Sequence, residues 1–89
     1  MQYLLVKHRV KDFDRWYSVF RSHEEAQREA GLKDLQLFRD VADPNVVVVL
    51  FRVDDLDKVK AFTESPESYE AKEESGVIGE PEALWLNKI

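Results

Sequence analysis

The chain opens on strict alternation. Leu4, Val6, His8 and Val10 share one face of residues 2 to 10, and Tyr3, Leu5, Lys7 and Arg9 share the other. A period of two predicts a strand. The period then lengthens. Phe13, Trp16, Tyr17, Phe20, His23, Gln27 and Ala30 recur mostly at spacings of three and four, which predicts an amphipathic helix over 13–30. Asp12 is placed to cap that helix, Asp14 puts a favourable charge in its first turn, and Gly31 stops it.

A second strand is expected from Leu32 to Asp40, followed by a hairpin connection at Val41-Ala42-Asp43-Pro44-Asn45. Val46 to Val53 reads as a third strand, and its opening run Val46-Val47-Val48-Val49-Leu50-Phe51 does not alternate. A strand apolar on both faces is expected to be covered on both faces. Asp54 or Asp55 caps the next helix, which carries the stripe Leu56, Val59 and Phe62. Ser65-Pro66-Glu67 restarts a helix, with Ser as cap and Pro at the first helical position. That helix runs to Ser75 and ends at Gly76. Val77 to Pro81 reads as a connection, and Glu82 to Lys88 as the last strand. The order β-α-β-β-α-β, with the second helix in two pieces, is the ferredoxin-like split arrangement: a four-stranded antiparallel sheet with helices on one face. Those helices leave the other face bare, and a second copy of the chain is the simplest cover. A homodimer packed through its sheets is therefore expected.

Length bounds this picture to one domain over residues 1–89, small enough to gain stability by pairing. The absence of cysteine excludes disulfides, thiolate zinc sites and thiol catalysis. With a net charge of −5 the chain lacks the basic footprint of a nucleic-acid binder. Lys7, Arg9 and Lys11 read as a solvated strand edge. No apolar run approaches membrane-spanning length, and a cytoplasmic location without membrane attachment is the expectation.

The candidate chemistry lies in the two histidines. His8 interrupts the apolar face of the first strand, and His23 continues the Trp16–Phe20 stripe of the first helix. If those faces meet, both rings enter one layer between sheet and helix. A desolvated imidazole tends to be neutral, which suits a general base acting on a phenol or an activated C–H. Trp16, Phe20, Tyr69 and Trp85 are candidate walls of an apolar pocket, and Gln27 is placed to orient a ligand carbonyl. The histidines and scattered carboxylates have no metal-ligand spacing, the three glycines form no phosphate loop, and no serine sits on a strand-to-helix elbow.

Several segments carry a resemblance across nearly the whole chain. Val6-Lys7-His8-Arg9-Val10-Lys11-Asp12-Phe13-Asp14-Arg15-Trp16 resembles the opening of small proteins of the dimeric α+β barrel superfamily, grouped with antibiotic biosynthesis monooxygenases or small cyclases. Phe38-Arg39-Asp40 with Asp43-Pro44-Asn45, Ala61-Phe62 with Ser65-Pro66-Glu67, and Ser75-Gly76-Val77 with Gly79 and Pro81 extend the likeness. The resemblance implies a pocket between each subunit's sheet and its own helices, and a dimer. It also implies an enzyme needing no cofactor, of monooxygenase or cyclase type, acting on an aromatic or polyketide-like compound. In that reading His8 and His23 are catalytic, and Trp16, Phe20, Gln27, Tyr69 and Trp85 bind substrate. The chain lacks the first-strand asparagine of the superfamily's haem-degrading branch, which sets it apart from that chemistry. The alternative is a non-catalytic dimeric domain that binds a small molecule or serves a structural role.

Overall fold

The structure is a computed structural model describing residues 1–89. Its elements follow in the order β1 (Gln2–Val10), α1 (Phe13–Ser22), α2 (Glu24–Glu29), β2 (Leu32–Arg39), β3 (Val46–Val53), α3 (Leu56–Thr63), α4 (Pro66–Ser75) and β4 (Val77–Asn87). The strands form one antiparallel sheet in the order β2-β3-β1-β4, and all four helices lie on one face of it. This is the ferredoxin-like α+β architecture expected from the sequence.

Local chemistry sets the helix ends. The Asp12 carboxylate accepts from the backbone N–H groups of Asp14 and Arg15, Asp55 accepts from Lys58, and the Ser65 hydroxyl accepts from Ser68. Each satisfies donors that a helix start leaves open. Gly76 closes α4 in the left-handed region at φ 79°.

The helix expected over 13–30 is interrupted. His23 has φ −101° and ψ 5°, and its N–H donates to the carbonyl of Phe20, three residues back. Beside it, the Ser22 hydroxyl donates to the Val19 carbonyl. Such back-bonding competes with the regular ladder and bends helices. Two shorter helices result, with His23 at the joint.

Both edge strands carry an irregularity. In β2 the register slips between Lys33 and Gln36, with Asp34 at φ 49°. Leu32 and Leu35 stand three apart, so strict alternation would send one of them outward. The extra residue turns both toward the helices, where Leu32 is buried and Leu35 packs against the core. In β4 the segment Val77 to Pro81, expected as a connection, belongs to the strand. Glu82 pairs with Lys7 and Ile78 with Arg9, so three residues of β4 oppose His8 alone. Gly79 at φ 71° and Pro81 make this bulge, and an edge strand tolerates both.

The core lies between sheet and helices. Val47, Val49, Phe51 and Val53 of β3 point into it with Leu4 and Val10 of β1, Trp16 of α1 and Val59 of α3. Gly31 stands at φ 101°, and an added Cβ would lie 3.4 Å from Cγ2 of Val59. Gly31→Ala should therefore lower stability by about 1–2 kcal/mol, read as a reduced urea midpoint with an unchanged slope.

Candidate functional site

The inward face of β1 is apolar until His8. Opposite it, α1 presents Trp16 and Phe20, with ring centroids 4.9 Å apart in a stacked pair. His8 tilts against Trp16 at 5.4 Å, and Phe20 reaches Phe51 of β3 at 6.3 Å. Between these rings and α3 and α4 lies a cavity of about 150 Å³. His8, His23, Trp16, Phe20 and Gln27 all line it. The two histidines, 15 positions apart on different elements, thus reach one space. His8 sits on the sheet floor, whereas His23 and Gln27 also line a smaller adjoining pocket with Phe62, Glu67 and Ser68. The adjoining pocket lies among α2, α3 and α4.

Polarity is concentrated at few points. Neither ring nitrogen of His8 has a hydrogen-bond partner, and Oε1 of Gln27 has none. All three atoms are shielded from solvent. Buried polar atoms are ordinarily paired, and each orphan is costly. Burial pushes the His8 pKa down from 6.5 to about 4, and the positive charge of Lys72 pushes it the same way. His8 is therefore neutral at neutral pH, with one ring nitrogen able to donate and the other to accept.

Two other predicted site residues lie elsewhere. Tyr69 on α4 is 56% exposed and does not line the cavity, although its ring lies 4.9 Å from the ammonium of Lys72. Trp85 shares the helix-side face of the sheet, since it pairs with Leu4, but β4 is an edge strand. Its indole lies outside the cavity under Lys60 at 5.5 Å.

Sequence reasoning missed Lys72, Thr63, Ser68 and Ser75, which also line the cavity. The hydroxyls of Thr63 and Ser75 donate to the carbonyls of Lys60 and Lys72 of their own helices, leaving acceptor capacity toward the cavity. The signal for Lys72 was its spacing: Ser68, Ala71, Lys72 and Ser75 fall at three and four on one face of α4. Glu67, Glu70, Glu73 and Glu74 read as a solvated face of that helix, and Lys72 stands among them.

Solved structures share this fold at low sequence identity. An antibiotic biosynthesis monooxygenase superposes with a TM-score of 0.77 at 14% identity, covering 100% of this chain and 99% of the other. SnoaB, a cofactor-independent oxygenase from Streptomyces nogalater, gives 0.80 at 14% identity, covering 99% and 92%. A conserved protein from Methanosarcina mazei gives 0.76 at 18% identity, covering 99% and 92%. No family profile and no curated protein matches the sequence. The chain therefore has the ferredoxin-like α+β fold of the antibiotic biosynthesis monooxygenase structures.

The depressed pKa of His8 has a consequence for stability. The unfolded chain binds a proton at His8 below about pH 6.5, whereas the folded chain resists it until about pH 4. Stability tied to this site is full above pH 6.5 and falls as pH drops toward 4, by on the order of 3 kcal/mol. An NMR titration should find His8 changing charge near pH 4. His8→Phe should flatten the decline in urea midpoint between pH 6.5 and 4.

Proposed function

We propose that this protein is a small enzyme of monooxygenase or cyclase type that deprotonates an aromatic or polyketide-like compound held between sheet and helices. The observation that carries this reading is that two residues lining a largely apolar cavity, His8 and Gln27, hold orphaned polar atoms: both His8 nitrogens and Gln27 Oε1. A ligand hydroxyl beside His8 and a ligand donor at Gln27 would satisfy them. In the chemical step the ligand O–H bond breaks, its proton passes to a ring nitrogen of His8, and the electron pair stays on the ligand. His23, at the joint between α1 and α2, stands where the cavity meets the adjoining pocket and is the candidate for handling that proton next. The resulting anion can attack an internal carbonyl and close a ring, or react with dioxygen as co-substrate. Trp16 and Phe20 form the wall against which the ring packs. Tyr69 and Trp85 are then outer residues, in contact with Lys72 and Lys60.

The likeness in fold to SnoaB supports the oxygenase branch of this proposal. The low basicity of His8 favours a second reading, a binding domain in which neutral His8 and Gln27 only orient the ligand. An ordinary phenol near pKa 10 facing an imidazole at about 4 leaves a gap of about 8 kcal/mol for proton transfer. The enzyme reading requires the anion to be stabilised in the cavity. Adding 4-nitrophenol at neutral pH should move the His8 ring resonances and raise the pH at which His8 titrates, because the bound anion favours imidazolium. Resonances that shift with unchanged titration would favour the binding domain, and resonances that do not respond would remove the cavity as the ligand site.

We also propose that two copies pair through the uncovered sheet face. Tyr3 pairs with Leu86, Leu5 with Leu84 and Leu50, and Phe38 with Val48, so these apolar side chains form one patch across all four strands. Phe38 and Leu84 are half exposed in the single chain. Sedimentation should give twice the 10.4 kDa chain mass at micromolar concentration, and Leu84→Glu should shift the protein to monomer.

A further inference from the structure

Of the 18 residues lining the cavity, Lys72 is the one with a permanent charge, and no carboxylate lines the space. Lys72 takes part in none of the protein's ion pairs, which join Arg9 to Asp43, Arg21 to Glu24, and Arg52 to Asp34 and Asp54. Its ammonium is hemmed on another side by the ring of Tyr69, which satisfies it by cation–π attraction without neutralising it. Lys72 is partly buried, and an unneutralised cation at the edge of a largely apolar cavity attracts an anionic group that enters it. His8 and Gln27, whose ring nitrogens and Oε1 are orphaned, line that cavity as well.

We propose that the cavity takes its ligand as an oxyanion, with Lys72 as the charge partner of the ionised oxygen. The fit is to a phenol or enol bearing a second hydroxyl, which donates to Oε1 of Gln27, while a ring nitrogen of His8 faces the ionised oxygen. This assignment rests on the deprotonation reading and supplies what that reading requires. Burial is the main reason that empty-site His8 is a poor base, and the cation that adds to this effect is the one that makes the ligand a stronger acid. When the ligand O–H breaks, the new negative charge lies between Lys72 and the imidazolium, and both are stabilised by it. Size narrows the ligand further. A cavity of about 150 Å³ matches the volume of an engineered apolar cavity that accepts benzene, so one ring enters it. Tyr69 becomes a positioning residue that holds the lysine stem and head on the cavity side of α4.

The test uses 4-nitrophenol, whose phenolate absorbs visibly, and reads the apparent pKa of the bound probe. The wild-type protein should bind the phenolate at least tenfold more tightly than the neutral phenol, lowering the bound probe's pKa by at least one unit. Lys72→Gln should still bind neutral probe but lose that preference, and Lys72→Arg should keep it. Equal affinity of the wild type for both forms overturns the proposal, as does a preference that survives Lys72→Gln. In the latter case a continued response of His8 to the probe leaves the deprotonation reading standing while the role of Lys72 falls. Failure of the probe to bind the wild type at all removes both.

Discussion

The structure turns on one unusual burial, the imidazole of His8 on the floor of an otherwise apolar sheet face. A chain of this size has little core to spare, and a desolvated, unpaired ring works against it. Its surroundings are arranged around that group. Trp16 packs against the ring, β4 bulges opposite it, and Lys72 of α4 lines the same cavity. Bulges concentrate beside functional sites, where they re-aim side chains or open a strand. Here the bulge spans Gly79 to Pro81, directly across from His8.

The helical layer follows from the same constraint. Three separate helix segments, α1, α3 and α4, and the joint at His23 enclose the space above His8. The joint matters because a continuous helix would carry one stripe from Phe13 to Ala30. The break divides it, so that Trp16 and Phe20 wall the main cavity while His23 and Gln27 reach both it and the adjoining pocket. The other sheet face answers a different physical demand. It has no helix of its own chain over it, and its apolar patch is what the proposed pairing would cover.

Much of this was legible in the sequence because periodicity reports faces. Alternation in residues 2 to 10 put His8 with Leu4 and Val6, and helical spacing put His23 with Trp16 and Phe20; both histidines do line one cavity. Capping residues marked the helix starts at Asp12, at Asp54 or Asp55, and at Ser65, and the structure settles the second on Asp55. The misses share a cause. Gly79 and Pro81 are punctuation in a linear reading, but an edge strand absorbs them as a bulge. Tyr69 was drawn to the site by its chemistry, yet helical geometry turns Ser68, Ala71, Lys72 and Ser75 inward instead. Trp85 has the correct strand parity, but parity does not say how far from the cavity an edge strand lies. Lys72 escaped notice because a lysine among glutamates looks solvated until the tertiary fold shows what faces it.

The central claim is that His8, Gln27 and Lys72 together form a site for an acidic hydroxyl. A crystal structure of the protein soaked with 4-nitrophenol at neutral pH tests it most directly. The expected result places the ring against Trp16, with the phenolic oxygen within hydrogen-bond distance of a His8 ring nitrogen and the Lys72 ammonium. An empty cavity, or a probe bound with its phenolic oxygen turned away from both groups, would contradict it.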